Sequence, residues 1–545
     1  MAPSYVHGAS SVPLLGETIG ENLRRTVDRH GDREALVVRD QGYRATYREL
    51  WRQTELAARG LMARGVGRGD RVGIWAPNRS EWVVLQYATA RVGAILVNIN
   101  PAYRTSELEY ALNQSGTELL VLARGFRTAD YVAMLGEVRE RCPGLREALV
   151  LEEAWDRLLV DGERVSPDEL AEREASLQFD DPINIQYTSG TTGFPKGATL
   201  SHHSILNNGF FIGERLRYRE QDRVCIPVPF YHCFGMVLGN LACTTHGACM
   251  VVPAESFDPL ATMRTAQDER CTSLYGVPTM FIAELEHPEF GGFDFSSLRT
   301  GIMAGSPCPV EVMKKVQTAM NMTEVTICYG MTETSPVSTQ SNTDDPLEKR
   351  VATVGPVHPH VEIKVVDPAT GRVVPRGEPG ELCTRGYVVM LGYWNNEEAT
   401  RAAIDAGRWM HTGDLATMDE DGYLNIVGRI KDMIIRGGEN IYPREVEEFL
   451  FTHPDVAEVQ VIGVPSERYG EEVMAWVRLR EGAAATEDDL AAYCRGRIAT
   501  YKIPRYWKFV DIFPMTVTGK VQKFKMRETA VEELGLQEAA GIRTA

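Results

Sequence analysis

An α/β body followed by a smaller α+β domain is the architecture this sequence predicts, and three observations predict it. Up to about residue 180, helix-period segments alternate with short apolar runs, the pattern of helices packed on a largely parallel sheet. Near residue 183 an alternating strand runs into a loop of glycines and hydroxyls and then a capped helix. Beyond about residue 430 the pattern changes to short helices and strands with their own turn signals.

Taken in order, Glu55 to Arg64 reads as a helix followed by a strand from Arg71 to Trp75. Tyr87 to Val92 and Ile95 to Asn98 repeat that unit. Ile183, Ile185 and Tyr187 alternate with polar residues as a half-buried strand does, and Ser201 is placed to cap a helix beginning at His202. Phosphate chemistry favours such a turn, because a helix start presents free amides. In the last part, Pro443 opens a helix whose first turns hold Glu445, Glu447 and Glu448, acids that suit the positive end of the helix dipole. Val446, Phe449 and Leu450 mark its buried face, and His453-Pro454 ends it. Strands are expected at Val459 to Val464, Val473 to Val477 and Tyr506 to Phe513, with a helix capped by Thr486 and Asp489 between the last two. The junction is a short charged segment at Gly428 to Asp432, so the expected domains are 1–428 and 433–545, joined by 429–432.

Composition narrows the function classes. Of 545 residues 43% are hydrophobic and 24% charged, the balance of a globular protein and not of a disordered one. The net charge of −17 would repel nucleic acid and anionic lipid over most of the surface. The ten cysteines form no CxxC pair and the amino terminus has no secretory pattern, so a reducing cytoplasm is expected. Val224 to Ala254 has no charged residue, yet its prolines, Asn240 and two histidines argue against a membrane helix and for a buried loop and helix. One stretch runs against the overall charge. From Arg495 to Arg527 there are nine basic residues and one acid, Asp511, which points to an anionic partner.

The segment Thr188-Ser-Gly-Thr-Thr-Gly-Phe-Pro-Lys-Gly197 concentrates hydroxyls, glycines and one cation directly after a strand. Glycines let backbone amides approach an anion, hydroxyls donate to it, and Lys196 adds charge. That describes a polyphosphate cradle built from Thr188, Ser189, Gly190, Thr191, Thr192 and Lys196, without Walker A spacing. Glu333, in a polar turn after the apolar run Val325 to Cys328, is the type of single carboxylate that holds Mg²⁺ beside phosphates.

With this loop, Tyr329-Gly-Met-Thr-Glu333, Gly380-Glu-Leu-Cys-Thr-Arg-Gly386, His411-Thr-Gly-Asp-Leu415, Gly428-Arg-Ile-Lys-Asp432 and Thr518-Gly-Lys520, the sequence resembles the adenylate-forming superfamily of acyl-CoA synthetases, luciferases and adenylation domains. The resemblance spans nearly the whole chain. It implies a large amino-terminal body of two α/β sheets plus a small barrel-like part, and a mobile carboxyl-terminal domain. It also implies ATP, Mg²⁺ and CoA as ligands, and a two-step conversion of a carboxylic acid through an acyl-AMP to an acyl-CoA. Thr332 would touch phosphate, Tyr329 would stack on adenine with Gly305 and Ser306 lining it, and Asp414 and Arg429 would hold the ribose. Lys520 would bridge the carboxylate and the α-phosphate, segment 429–432 would be a hinge with Lys431 as its pivot, and Gly437 and Gly438 would line the thiol's approach.

For the acid, the resemblance places the uncharged segment along the acyl pocket, with His232 as a gate. An uncharged wall suits an apolar acid, because an unpaired charge there would be costly. Lys431 to Pro443 and Gly519 to Arg527 look most like medium-chain fatty acyl-CoA synthetases, and also occur in aryl and specialised-metabolite ligases. A stand-alone enzyme that loads a carrier protein is the other reading. The oligomeric state stays open, with a homodimer as one option.

Overall fold

The computed structural model describes residues 2–188, 195–306, 308–437, 439–516 and 521–537. Packing divides the chain into two compact units, one of Val6–Ile363 and Thr384–His411, the other of Met1–Tyr5, Lys364–Cys383 and Thr412–Ala545.

The larger unit is α/β with two sheets. One has the spatial order Gly392–Tyr393, Lys196–Ser201, Pro182–Thr188, Ile95–Asn98, Arg71–Trp75, Leu119–Leu122, Glu147–Val150. The other has the order Val337–Gln340, Glu324–Gly330, Thr300–Met303, Ser273–Gly276, Arg223–Cys225, Cys249–Val252, Glu34–Val38, Tyr43–Thr46. Its six inner strands are parallel and its two outer ones antiparallel to their neighbours. Parallel strands need both faces covered. Helix Ser80–Val92 does this for both sheets at once: it is buried on every side and touches Ile95–Asn98 of one sheet and Glu34–Val38 of the other. The uncharged segment is buried as expected, and its Phe234–Leu241 stretch is a π-helix. Among the described residues no helix is long and apolar enough to cross a membrane.

Just before that central helix ends its entry turn, Arg79 grips Glu81 with two hydrogen bonds of 2.8 and 2.9 Å. Burial alone would raise the Glu81 carboxyl, but the hydrogen bonds from Arg79 and Gln41 and the Arg79 charge outweigh it and bring it to about 2, against 4.5 for a free side chain. A carboxylate depressed on folding stabilises the fold above its unfolded value and loses that contribution as pH falls through the folded one. Stability should therefore drop by about 3 kcal/mol between about pH 5 and pH 2 through this group. Thermal melts across that range check it, with Glu81→Gln giving the flatter curve.

In the smaller unit the carboxyl-terminal part is α+β, as predicted. Pro443–Phe451 is a helix with Pro443 in its first turn, and Val456–Ser466 and Gly470–Leu479 form a long antiparallel pair. Thr486 and Asp489 make the anticipated capping box. The last strand is shorter than expected, Tyr506–Phe509, and pairs in parallel with Gly470–Leu479. The barrel-like part is corrected to an open five-stranded sheet in the order Tyr5–His7, Val361–Val366, Gly380–Gly386, Met410–Met418, Leu424–Arg429. Its outer strands do not pair among the described residues, and the three-residue Tyr5–His7 offers too short an edge for the staggered closure a barrel requires.

The strongly basic stretch is partly neutralised within its own domain. Lys502, Lys508, Lys523 and Arg527 pair with Glu445, Glu533, Glu447 and Glu471, acids supplied by other segments of the same domain. Counting charge along the chain hides partners that the fold brings from elsewhere, so these four do not form a free cationic face.

Candidate active site

The site residues of the larger unit emerge at the carboxyl ends of parallel strands, where open α/β sheets hold their ligands. Sequence neighbours Arg223–Cys225 and Cys249–Val252 lie side by side, while the next strand, Ser273–Gly276, joins Arg223–Cys225 on its other flank, which makes a topological switch point. Met303 is in register with Ile327. Two residues beyond each, Gly305 and Tyr329 therefore leave adjacent strands at one end. Gly305 has φ +93°, a conformation that favours glycine, and Ser306 follows it half-buried.

The Glu333 turn is over-determined. A Cβ on Gly330 would stand 1.8 Å from the Pro336 carbonyl, so only glycine allows the chain to double back there. The Thr334 hydroxyl donates to the carbonyls of Met331 and Pro336 and accepts from the Met331 amide. Ser335 sits at φ +67° and donates its amide to the Thr332 carbonyl. Such a turn fixes Thr332, half-buried, and Glu333, buried.

Glu333 Oε1 accepts a 2.8 Å hydrogen bond from the Tyr393 hydroxyl. Burial, then the Glu333 charge, push the Tyr393 hydroxyl far above its ordinary range, so it stays a donor. Lys196 Nζ lies 5.0 Å from the centre of the same ring. Thr188 and Lys196 are register partners in an antiparallel hairpin. This revises the expected strand, loop and helix: the loop joins two strands, and helix His202–Arg215 starts only after Lys196–Ser201, although Ser201 caps it as anticipated. The alternating Ala198 to Ser201 run extends the sheet before the cap takes effect.

Beside Glu333 lies Cys233, whose thiol donates to Gln186 Oε1 at 3.1 Å. Burial first, and the Glu333 charge second, push that thiol well up, so it is protonated and no nucleophile. His232 is half-buried, and its Nδ1 accepts from the Phe234 amide at 3.1 Å, which leaves Nε2 as the protonated nitrogen. Behind it the uncharged segment meets neutral buried amides, with Asn240 donating to Gln86 and Gln186 to the Met236 sulfur.

In the smaller unit, Asp414 and Arg429 are register partners on adjacent strands and pair directly, Arg429 Nε to Asp414 Oδ1 at 2.9 Å. Asp414 is buried, with its amide donating to the Thr412 hydroxyl. Burial and then the Arg429 charge lower the pKa of Lys431. Gly437 has φ +60° and donates its amide to the Tyr469 carbonyl. Ser189, Gly190, Thr191, Thr192, Gly438 and Lys520 lie outside the described residues.

The structure thus brings Thr188, Lys196, His232, Thr332 and Glu333 to one end of the larger unit. It adds Tyr393, which the sequence reading did not single out. An aromatic pair, Tyr393-Trp394, shortly after the Gly380 to Gly386 motif was the available signal. These residues fit a nucleotide with its Mg²⁺: a single buried carboxylate whose Oε2 takes no hydrogen bond among the described residues, next to hydroxyls and a lysine, is a set of groups suited to a metal shared with phosphates.

Comparison with known proteins agrees with this geometry. The family described as AMP-binding enzyme matches residues 23–394, and AMP-binding enzyme C-terminal domain matches 445–520. YngI of Bacillus subtilis (strain 168), which carries acyl-CoA synthetase as a provisional name, is 50% identical over 96% of this chain and 99% of its own. The mitochondrial medium-chain acyl-CoA ligase ACSF2 of Danio rerio is 48% identical over 98% of this chain and 92% of its own. Among solved structures, the anthranilate CoA ligase AuaEII in complex with anthranoyl-AMP superposes with a TM-score of 0.84 at 27% identity, covering 96% of this chain and 99% of that one. The chain belongs to the AMP-binding enzymes, the adenylate-forming superfamily that includes the acyl-CoA synthetases.

Proposed function

We propose that this enzyme makes acyl-CoA from a largely apolar, medium-chain carboxylic acid in two steps. The acid's carboxylate oxygen attacks the α-phosphorus of ATP and pyrophosphate leaves. The CoA sulfur then attacks the acyl carbon, losing its proton, and AMP leaves. The observation that carries this reading is the buried Glu333 carboxylate, held by Tyr393 beside Lys196 at the mouth of the hydroxyl-rich hairpin. Bound Mg²⁺ supplies charge neutralisation for the phosphates. The chain's part is positioning: Glu333 and Thr332 orient the phosphates, Tyr329, Gly305 and Ser306 take the adenine, Asp414 and Arg429 the ribose, and Lys520 the crowded oxygens of the first step. His232 gates an acyl pocket along the uncharged segment, whose neutral walls favour an uncharged tail. Segment 429–432, between the two family matches, serves as hinge with Lys431 as pivot. It carries the domain of residues 433–545, with Gly437 and Gly438, into place for the thiol. Ten buried cysteines, with no disulfide among the described residues, support a reducing compartment, and the cytoplasm is the one proposed.

Incubation with ATP, Mg²⁺, CoA and a panel of aliphatic and aryl acids should release pyrophosphate and form thioester, best with aliphatic acids of medium length. No pyrophosphate with any acid would overturn adenylation. Pyrophosphate without thioester would replace CoA by a carrier protein as acceptor, and preference for aryl acids would replace the fatty acid.

A further inference from the structure

We infer that Tyr393 is a positioning residue for the Glu333 carboxylate, fixing which oxygen it offers to the metal and keeping it from Lys196. The inference rests on the adenylation reading and deepens it at the same site.

Three features carry it. The Tyr393 hydroxyl binds Oε1 and leaves Oε2 as the oxygen without a hydrogen bond among the described residues, so the carboxylate is held in one orientation. A group that donates to a metal-binding carboxylate does this in metalloenzymes generally. Next, the face of the same ring stands under the Lys196 ammonium at 5.0 Å. A lysine and a glutamate at the mouth of one hairpin would otherwise tend to pair and cancel, leaving neither for phosphate or metal. Here one aromatic side chain satisfies both, the cation through its π face and the anion through its hydroxyl. Among the described residues, Lys196 and Glu333 form no ion pair with each other.

The third feature is backbone. Tyr393 is in register with Ala198, and Gly392 with Thr199, so the residue belongs to the sheet that carries the hairpin. Trp394 donates its amide to Gly197 at 2.7 Å and Leu391 to Thr199 at 2.9 Å. From the other end of the same short segment, Met390 donates to the Glu333 carbonyl at 2.9 Å. Residues 390–394 thus stitch the base of the cradle to the Glu333 turn, and the ring sits where the two meet. An acid pocket or a general hydrophobic core would not require a hydroxyl at that point.

The test is Tyr393→Phe, which keeps the ring, its volume and its contact with Lys196 and removes only the hydroxyl. Mn²⁺ binding is followed by electron paramagnetic resonance with the full chain and α,β-methylene-ATP, and melting temperature is measured alongside. About tenfold weaker Mn²⁺ binding is expected, with melting unchanged to within about 2 °C. Unchanged Mn²⁺ affinity would overturn the inference. So would a large fall in melting temperature, since the hydroxyl would then be a structural anchor. The parent reading is judged separately on the unsubstituted enzyme: if that binds no Mn²⁺ with the analogue and releases no pyrophosphate, adenylation fails, whereas a competent enzyme with an unaffected variant sinks only the role of Tyr393.

Discussion

Lys520→Ala is expected to slow acyl-adenylate formation by about 10² to 10³-fold, the effect of removing one donor aimed at transition-state charge. Conversion of supplied acyl-AMP and CoA to thioester should stay within about threefold, because the carboxylate and phosphate no longer crowd each other in that step. Four described cations of the same domain are already engaged, which makes the loss hard to compensate. Among the described residues, Met515 and Val521 form a bridge and the Gln522 amide donates to the Pro514 carbonyl at 2.8 Å. Helix Lys523–Glu533 then buries Met526 and Ala530 in the domain core. Lys523 is tied to Glu447 at 2.5 Å and to the Val461 carbonyl at 3.0 Å, and Glu447 accepts from the Val461 amide at 2.8 Å. With Lys502, Lys508 and Arg527 likewise committed to carboxylates, none of these four cations is available to take over. Separate assays of pyrophosphate release and of thioester formation from acyl-AMP check the prediction. Equal loss in both would show that the lysine serves the whole domain and not one step.

The sequence was most legible where chemistry is local. Caps and helix starts came through because Ser201, Pro443, Thr486 and Asp489 act on amides a few residues away. Asp414 and Arg429 were singled out from their motifs, and the hairpin makes them direct partners. What the sequence hid depends on segments far apart. Tyr393 becomes a site residue only because its strand pairs with Lys196–Ser201, nearly two hundred positions earlier. Four cations of the basic stretch pair with Glu445, Glu447, Glu471 and Glu533 for the same reason. The hairpin in place of a helix start was missed because Ala198 to Ser201 is short enough to read as part of the loop, and only the ladder with Ile185 to Tyr187 shows it as a strand.

Glu333→Gln should lower adenylation by about 10²-fold or more, a loss of transition-state and metal charge worth about 3 kcal/mol. The substitution is nearly isosteric, and the amide oxygen can still accept from the Tyr393 hydroxyl, so the turn held by Thr334 and Ser335 should keep its shape and the melting temperature its value. What changes is charge: a neutral amide binds Mg²⁺ weakly, and raising Mg²⁺ should recover part of the rate. Lys196 also loses the anion bound to the Tyr393 hydroxyl, so its ammonium becomes freer to follow the phosphates, and the Michaelis constant for ATP should rise less than kcat falls. Combining Glu333→Gln with Tyr393→Phe separates the possibilities. If the tyrosine acts through the carboxylate, the double variant should be no slower than Glu333→Gln alone, because the hydroxyl then has no charged group left to orient. Losses that multiply would mean that Tyr393 serves the reaction by another route, through Lys196 or the cradle strand, and the link between hydroxyl and metal would fall while the role of Glu333 stood.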